Sequence, residues 1–539
     1  MSEYHHLPFS RLDLAFAKFL EQRTILKSTK KQQFCQLVKV LSYQHNQGHS
    51  CIVLNEYEQT LIQESGLAVI NPITDNKILP LVLEQNRLYL QRYWFYEHRL
   101  MQQLKIIAQQ SYNINTITPL LNDYFNDESQ KAAAIIALTQ GFSIITGGPG
   151  TGKTTTVVKI LALLQQQYIE KPLHIALAAP TGKAAMRLQE SIGFNKNTLP
   201  CSDEIKALIP ETVTTLHRLL GAKLNSPYFK HSKEHQLIYD VVVIDEASMV
   251  DLALMSKLLD ALKPSARLIL LGDKDQLASV ESGAVLADLS EALPEHTAEL
   301  KTAHRFNADI KQLAEAINTQ QTDLAWQLFN TANTTIELLT EDLIQYVAFK
   351  QTEYLTLIEQ NKSFNDIFAA FNQFQVLCSN REGKLGVMDI NYRVEQKLAG
   401  RGRIQLSGFW YNGRPIMITQ NNPSLHLYNG DIGLCLANED GKLMVYFLCP
   451  DGSTKKYLPS RIVQCETVFA MTVHKSQGSE FKEVLIVLPE SMNPVLTKEL
   501  LYTAITRAKD KIKLVANKTV FSTAIQQKTS RVTGLAYKF

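Results

Sequence analysis

The chain has 539 residues, of which 45% are apolar and 20% are charged, and it carries a formal net charge of +3 at pH 7. This length predicts several domains, and this composition excludes a largely disordered or fibrous chain. The almost neutral charge excludes a uniformly basic surface, so any site that binds nucleic acid must be a local one.

Residues 1–112 predict a mostly helical N-terminal domain, because apolar residues recur at helical spacing over 12–20 and 100–107. The aromatic segment 92–97 is interpreted as part of a small core, with a partner-docking surface as the alternative. Since no catalytic motif lies in this domain, we expect it to dock partners and to be dispensable for catalysis. The polar segment 113–128 predicts a linker.

An alternation of apolar and helical runs predicts a first α/β domain over residues 113–365. Its predicted strands are 142–146, 173–179, 240–244 and 266–271. Strands that are apolar throughout are typical of a parallel sheet that helices cover on both faces. The polar segment 221–239, which interrupts the alternation, predicts a short hairpin.

A glycine-rich loop follows the first of these strands. Residues 147–154 read GGPGTGKT between a strand and a helix, which is the setting of a phosphate-binding loop rather than of an ordinary glycine turn. Backbone N–H groups of such a loop surround a polyphosphate, Lys153 reaches the outer phosphates, and the Thr154 hydroxyl holds Mg²⁺. The predicted nucleotide-binding residues of this stretch are Gly148, Pro149, Gly150, Thr151, Gly152, Lys153, Thr154 and Thr155.

Acidic and amide side chains lie next to the same strands. Asp245 and Glu246 end an apolar strand, where Asp245 is predicted to hold Mg²⁺ together with Thr154, and Glu246 to orient or deprotonate the attacking water. Gln276 follows the next strand and is predicted to contact the terminal phosphate. Gln130, ahead of the first strand, offers an amide that matches the edge of adenine.

Two arginines are candidates for neutralising the charge that develops in phosphoryl transfer. Arg305 lies in the run TAHRF, and Arg507 lies in the run TAITRAK. Domain closure would bring such a group to the terminal phosphate. A surface salt bridge is the alternative for either residue taken alone.

A second α/β domain is predicted over residues 366–401 and 462–539. Its predicted strands are 374–378, 466–471, 483–488 and 511–516. Between the two halves, residues 402–461 change to short alternating runs separated by turn residues such as Asn429-Gly430-Asp431. This pattern predicts a small antiparallel barrel inserted into the second α/β domain.

The seven cysteines are dispersed, without the spacing of a disulfide framework or of a zinc site. No run of 18 apolar residues and no signal-peptide pattern is present in the sequence. We therefore expect a cytoplasmic protein with reduced thiols.

Eight ordered sequence blocks carry a resemblance to a known family. They are Gln130, GGPGTGKTTT at 147–156, APTGKAA at 179–185, TLHRLLG at 215–221, VVVIDEASMVD at 241–251, LGDKDQLASVESGAVL at 271–286, MTVHKSQGSEF at 471–481 and LYTAITRAK at 501–509. The blocks resemble the motifs of superfamily 1 DNA helicases that move 5′ to 3′. They are most similar to those of the RecD family, the alpha subunits of exodeoxyribonuclease V.

The resemblance implies an α/β protein in which two RecA-like P-loop domains close on ATP and Mg²⁺, with a helical N-terminal domain. It implies that Gln130 reads adenine and that Gln276, Arg305 and Arg507 sense or stabilise the γ-phosphate. It also implies that 402–461 is an SH3-like insert and that 221–239 is a strand-splitting pin. The residues implied to line single-stranded DNA are Pro180, Thr181, Lys183, His217, Thr472, His474, Lys475 and Ser476.

The resemblance further implies an ATP-driven 5′-to-3′ helicase that works with RecB-like and RecC-like subunits on DNA ends, in double-strand break repair and recombination. A free-standing helicase of the same subgroup, or a regulatory ATPase that gates a partner, remains as an alternative. We expect the chain alone to cut no DNA, because nuclease-like triplets such as Glu382-Gly383-Lys384 arise easily by chance. Exonuclease activity is expected only in the complex.

Overall fold

A computed structural model gives the fold and describes residues 7–72, 78–114, 116–223, 226–279, 281–302, 307–331, 334–449, 452–529 and 531–539. Within these ranges the strands form four sheets, of which two are entirely parallel and one is entirely antiparallel. None of the helices described there is long and apolar enough to cross a membrane. Short 3₁₀ helices occur at Thr118–Leu120, Ala247–Met249, Pro294–His296, Pro423–Leu425, Pro459–Arg461, Val473–Ser476 and Leu535–Tyr537.

The N-terminal region is helical, as predicted, and it also contains a small mixed sheet. Its helices are α1 (Arg11–Glu21), α2 (Ser28–Asn46), α3 (Glu56–Glu64) and α4 (Gln91–Ala108). Its strands are β1 (Cys51–Val53), β2 (Ala68–Ile70), β3 (Leu81–Glu84) and β4 (Arg87–Leu90), in the order β1-β4-β3-β2. The sequence did not predict this sheet, because strands of three or four residues are too short to display a period of two. The aromatic segment opens α4 and buries Trp94.

The first α/β unit contains a six-stranded parallel sheet in the order β10-β5-β9-β8-β6-β7. Its strands are β5 (Phe142–Gly147), β6 (Ile175–Ala179), β7 (Val213–Thr215), β8 (Val241–Ile244), β9 (Arg267–Gly272) and β10 (Thr297–Leu300). Its helices are α5 (Leu121–Tyr124), α6 (Glu128–Thr139), α7 (Lys153–Gln167), α8 (Gly182–Asn197), α9 (Asp203–Ala207), α10 (Leu216–Leu220), α11 (Leu252–Ala261) and α12 (Val285–Ala292). The four predicted strands are confirmed, and each is buried along its whole length because helices cover both faces.

The segments predicted as a linker and as a hairpin each differ in part from the prediction. The predicted linker contains the short helix α5, whose Leu121 and Tyr124 are buried against the sheet's core. Residues 221–239 form only a minimal hairpin within their described part, with one antiparallel bridge between Ala222 and Phe229. The Lys230 N–H donates to the Gly221 carbonyl oxygen beside that bridge.

The boundary predicted at residue 112 is wrong for helix α4. Its Leu100, Leu104 and Ile107 are buried in the core that covers one face of the six-stranded sheet, where α4 packs on α11. The C-terminal half of the helix therefore packs in the core of the first α/β unit, whereas Trp94 near its start packs in the core of the N-terminal sheet. Helical periodicity shows that one face is apolar, but it does not show which core receives that face.

After residue 307 the helices are α13 (Ala308–Asn318), α14 (Thr322–Leu328), α15 (Leu343–Lys350), α16 (Thr352–Glu359), α17 (Phe364–Phe371), α18 (Val387–Gly400), α19 (Lys498–Ile505) and α20 (Lys518–Gln526). The strands are β11 (Ile336–Leu338), β12 (Phe374–Cys378), β13 (Arg414–Ile418), β14 (Ile432–Ala437), β15 (Leu443–Leu448), β16 (Thr454–Tyr457), β17 (Cys465–Thr467), β18 (Ala470–Thr472), β19 (Phe481–Val487) and β20 (Ala508–Val515). A parallel sheet joins β11-β20-β19-β12-β18, and an antiparallel sheet joins β16-β15-β14-β13-β17.

The boundary predicted at residue 365 is also wrong. Strand β11 pairs with β20 of the second parallel sheet, and apolar residues of α13–α17 lie in that sheet's core. The second α/β unit therefore begins near residue 308. Helices that cover a sheet have the same apolar pattern on either side of the boundary, so the sequence alone did not place it.

The antiparallel sheet is inserted between β12 and β18, and the short alternating runs predicted within 402–461 form its strands β13, β14 and β15. The insert extends beyond the predicted limit of 461, because β17 pairs with β13. The prediction of a single strand at 466–471 is therefore wrong. It divides into β17, which belongs to the insert, and β18, which belongs to the parallel sheet.

Candidate active site

The glycine-rich loop joins β5 to α7 at the carboxyl edge of the first parallel sheet. Gly150 and Gly152 adopt φ values of 76° and 84°, which an L side chain rarely tolerates. A Cβ at Gly152 would lie 2.8 Å from Nε2 of Gln130, so this buried glutamine lies directly against the loop. Nζ of Lys153 donates to the carbonyl oxygens of Gly147 (2.6 Å) and Gly148 (3.1 Å). The lysine is thereby held over the loop.

The threonines of the loop have different partners. The Thr151 hydroxyl donates to the Gly148 carbonyl oxygen at 2.8 Å and closes the loop on itself. The Thr155 hydroxyl donates to Oδ1 of Asn195 on α8 at 2.9 Å, which ties α7 to α8. Thr154 lines the cavity in front of the loop.

Asp245 and Glu246 follow β8 at the same edge of the sheet. Burial and the neighbouring Glu246 carboxylate raise the pKa of Asp245, and Lys153 opposes the shift. The Glu246 N–H donates to Oδ1 of Asp245 at 2.9 Å. Glu246 has φ of 51°, a left-handed conformation that is strained for a residue other than glycine and that is frequent at functional sites.

A cavity of about 410 Å³ brings most of the predicted catalytic residues together. It lies between the two α/β units. Its lining includes Pro149, Gly150, Gly152, Lys153, Thr154, Thr155, Arg187, Glu190, Phe194, Asp245, Glu246, Gln276, Glu480, Arg507 and Lys509. Arg305 lies outside the described residues.

A chain of hydrogen bonds crosses from one α/β unit to the other beside this cavity. Nη2 of Arg507 donates to Oε1 of Gln276 (2.8 Å), and Nε2 of Gln276 donates to Oδ2 of Asp273 (3.1 Å). The Tyr502 hydroxyl donates to the same Asp273 oxygen at 2.9 Å. The other donors of Arg507 bond the carbonyl oxygens of Thr503 and Ser479. Gln276 thus connects the nucleotide edge of one unit with an arginine of the other.

Sequence reasoning missed Asp273, Tyr502, Arg187 and Glu480. Asp273 and Tyr502 are buried, and a Cβ at Gly148 would lie 3.1 Å from the Tyr502 hydroxyl oxygen. Both residues stand inside sequence blocks that had been singled out. A run of polar residues such as Gly-Asp-Lys-Asp-Gln does not reveal which side chain points inward.

The predicted strand-binding residues fall into two groups that face each other. In the first unit, the Thr181 hydroxyl caps α8 by accepting from the Ala184 N–H, and Lys183 stands on the first turn. A Cβ at Gly478, in the second unit, would lie 3.6 Å from Oγ1 of Thr181. Of the remaining residues, Pro180, Thr472, His474 and Lys475 are half-buried and His217 is exposed.

Two of these residues carry further information. Burial and the neighbouring Arg187 and Arg507 lower the pKa of Lys183 to about 7, against the attraction of Asp431. Ser476 is fully buried, and its hydroxyl donates to the Val473 carbonyl oxygen at 2.7 Å. The Ser476 hydroxyl therefore has no donor left for a strand, and the assignment of Ser476 to strand binding stays a prediction.

The donor set fits a Mg²⁺ ion that is held jointly with a nucleotide. No group of three or more His, Cys, Asp and Glu residues able to hold a metal occurs among the described residues. Mg²⁺ in nucleotide sites uses one or two protein oxygens together with phosphates and water. Asp245, which is half-buried and lines the cavity, and the Thr154 hydroxyl supply such a pair.

Three family models match the chain: an AAA domain over residues 130–282, a UvrD-like helicase C-terminal domain over 467–515, and the N-terminal domain of RecBCD enzyme subunit RecD over 7–69. The RecBCD enzyme subunit RecD of Mycolicibacterium smegmatis is 42% identical over 83% of this chain and 81% of its own. That of Haemophilus influenzae is 35% identical over 98% and 97%.

More distant relatives also match. The ATP-dependent RecD2 DNA helicase of Deinococcus radiodurans is 32% identical over 76% of this chain and 52% of its own. Among solved structures, Bacteroides Pif1 bound to ssDNA is 18% identical, with a TM-score of 0.41, over 73% of this chain and 93% of its own. The similarity to the RecD subunits of M. smegmatis and H. influenzae shows that the chain belongs to the RecD family.

Proposed function

We propose that the chain is the motor subunit of a RecBCD-type enzyme, moving 5′ to 3′ along single-stranded DNA. It is an ATP-dependent DNA helicase whose two α/β units meet at the nucleotide cavity. The chain of hydrogen bonds from Asp273 through Gln276 to Arg507 carries this proposal. It joins the edge that holds the phosphate loop to an arginine of the other unit, so nucleotide turnover and domain closure are physically linked.

The residues of the cavity have distinct roles in hydrolysis. Lys153 and the loop N–H groups bind the phosphates, and Gln130 recognises the adenine edge. Glu246 orients the attacking water and accepts its proton, while Arg507 neutralises charge on the terminal phosphate when the units close. Mg²⁺, held by Thr154 and Asp245, supplies further neutralisation of phosphate charge when it is bound.

Movement follows from the connection between the cavity and the strand-binding residues. Helix α8 begins at Thr181 and Lys183, and its Asn195 is bonded to Thr155 of the phosphate-loop helix. Lys475 belongs to the other unit. Opening and closing the cavity therefore changes the distance between two grips on the same strand, and alternation of the grips produces steps.

The remaining parts have supporting roles in this proposal. The N-terminal sheet and its helices dock RecB-like or RecC-like subunits, and the cytoplasm is the compartment of the DNA substrate. The antiparallel insert is an SH3-like subdomain that guides the strand, and residues 221–239 are a pin that separates the duplex. Degradation of DNA belongs to the complex, because the adjacent carboxylates Asp245 and Glu246 are assigned to the nucleotide's metal and water.

A strand-displacement assay tests the proposal. The purified chain, alone and with its RecB-like and RecC-like partners, is given duplexes with a 5′ or a 3′ single-stranded tail, ATP and Mg²⁺. Unwinding that requires a 5′ tail and is stronger with partners is expected. Unwinding only from 3′ tails would refute the proposed polarity. ATP hydrolysis without unwinding, both for the chain alone and with its partners, would identify the chain as a regulatory ATPase.

A further inference from the structure

Helix α8 forms the wall between the nucleotide cavity and a neighbouring cavity of about 420 Å³. Lys183 lines the neighbouring cavity, Phe194 lies along the nucleotide cavity, and Arg187 and Glu190 line both. Because residues four apart lie on one face of a helix, Arg187 stands directly between the strand-binding end of α8 and the nucleotide. Neither the sequence motifs nor the proposed mechanism assigns this arginine a role.

The guanidinium of Arg187 has donors available to the nucleotide cavity. Its contacts to the described residues are made by Nη2 alone, which lies 3.5 Å from the carbonyl oxygen and 3.8 Å from Oε2 of Glu480. Nε and Nη1 have no acceptor within the described ranges. Arg507 differs, since Nε, Nη1 and Nη2 each bond a protein oxygen at 2.8–3.2 Å.

The cavity around Arg187 carries charges of both signs. Glu480, Glu246 and Glu190 attract the guanidinium, Arg507 repels it, and burial in the cleft lowers its pKa. Glu480 is shared with Lys509, whose Nζ lies 3.3 Å from the same Oε2. A triphosphate in the cavity would offer Arg187 stronger and closer acceptors than a carboxylate divided between two cations.

We propose that Arg187 is a second catalytic arginine, which leaves Glu480 to contact the terminal phosphate of bound ATP. Unlike Arg507, it comes from the same unit as the phosphate loop. Its helix begins at the strand-binding residues Thr181 and Lys183, so a bound strand shifts Arg187 toward the phosphate and stimulates hydrolysis. This inference rests on the proposed function of the cavity.

The test compares Arg187→Ala with wild type in the full chain. We expect the strand-stimulated kcat to fall by roughly 10²- to 10³-fold, the usual loss when one preorganised donor to transition-state charge is removed. The affinity for a non-hydrolysable ATP analogue should fall at least tenfold while the affinity for ADP stays the same, because ADP lacks the contacted phosphate. Arg187→Lys should retain the affinity better than the kcat, since an ammonium cannot span two oxygens.

The controls separate this inference from its alternatives. Lys196→Ala removes a cation from the same helix, where Lys196 pairs with Glu211 away from the cavity, and should leave all these values unchanged. Glu480→Gln removes the ion pair. If it reproduces the whole effect of Arg187→Ala, and the double variant is no worse, Arg187 only positions Glu480 and the inference is wrong.

Two further outcomes are decisive. A kcat and an ATP-to-ADP affinity ratio within threefold of wild type in Arg187→Ala would overturn the inference while leaving the proposed function intact. Full activity of Lys153→Ala would instead overturn the proposed nucleotide site. If Arg187→Ala fails to fold, Arg187→Lys decides the matter, because it keeps a positive charge in the cleft.

Discussion

At the scale of single residues, the phosphate loop is closed by hydrogen bonds among its own residues. The Lys153 ammonium bonds two carbonyl oxygens of the loop, and the Thr151 hydroxyl bonds one of them as well. Phosphate oxygens carry full charge and are therefore stronger acceptors for the Lys153 ammonium than carbonyl oxygens. We expect the ammonium to contribute mainly where negative charge develops on those oxygens, in the transition state.

Replacing Lys153 with Ala should abolish ATP hydrolysis and preserve the fold. The backbone N–H groups still surround the phosphates, but no positive charge faces the β- and γ-oxygens. Steady-state ATPase measurements with circular dichroism as the folding control test this. Turnover within about tenfold of wild type, which is roughly 1.4 kcal/mol of barrier, would remove Lys153 from the mechanism.

Replacing Arg507 with Ala should slow turnover by about 10³-fold and leave nucleotide binding largely unchanged. The guanidinium donates to Oε1 of Gln276 across the cavity, so the variant also removes this donor from the amide oxygen. Nucleotide affinity and single-turnover rates are measured separately. A collapse of affinity with an unchanged rate for bound ATP would identify Arg507 as a ground-state ligand.

Lys183 predicts a pH dependence of strand binding. Its pKa of about 7 lies far below that of a free lysine, so the ammonium is lost as the pH rises through neutrality. We expect affinity for single-stranded DNA to fall about three- to tenfold more between pH 6.5 and 8.5 in wild type than in Lys183→Arg, which stays charged. Fluorescence anisotropy at constant ionic strength measures this, and parallel pH curves would contradict it.

The sequence alone predicts that site residues which follow strands of one parallel sheet lie close together, because the carboxyl ends of such strands meet at one edge. Asp245 and Gln276 were found in this way. The sequence alone did not predict contacts between the two α/β units, such as the contact of Tyr502 with Asp273. Arg187 stands one helical turn after Lys183, and this spacing could have indicated that both lie on one face of the helix. An arginine considered by itself, however, is usually a solvated surface charge.

At the scale of elements, the C-terminal segment connects the N-terminal region to the first α/β unit. Arg531 donates to the carbonyl oxygens of Ser279, Glu281 and Gly283. The Gly534 N–H donates to Oε1 of the fully buried Glu97 at 3.1 Å. This segment therefore satisfies polar groups on both sides of a junction.

Gly534→Ala should destabilise this junction. A Cβ at position 534 would overlap the Tyr89 hydroxyl oxygen and lie 2.9 Å from Oε2 of Glu97. We expect a loss of about 1–3 kcal/mol, the usual cost of overpacking. Gly400→Ala is the matched control, since a Cβ there meets no atom within 4 Å. Equal urea midpoints for the two variants would show that the junction accommodates the methyl group.

Elements that are long or apolar throughout were predictable, and short ones were not. Strands such as β5 and β8 lie between two layers of helices, so every residue is buried and most residues are apolar. Strands β1 and β11 have three residues each and lie at sheet edges. Their pairing depends on distant segments, which local sequence does not specify.

At the scale of the whole molecule, the N-terminal region and the first α/β unit share a core. Leu100, Leu104 and Ile107 of α4 are at most 3% exposed within it. The expectation that residues 1–112 are dispensable for catalysis therefore conflicts with the packing. Sequence motifs locate chemistry, but they do not show which parts of the chain are needed to hold it.

Deleting residues 1–112 should unfold or aggregate the protein. Removing the three buried side chains of α4 costs about 2–5 kcal/mol for each by analogy with truncation to alanine, which together approaches the whole stability of a domain. Within the intact chain, Leu104→Ala should cost about 2–5 kcal/mol, whereas Ile106→Ala on the exposed side of the same helix should cost less than about 1 kcal/mol. Urea unfolding of the two point variants and the ATPase activity of the deletion measure these effects. A deleted chain that melts at the wild-type temperature and hydrolyses ATP normally would show that α4 is not part of the motor's core.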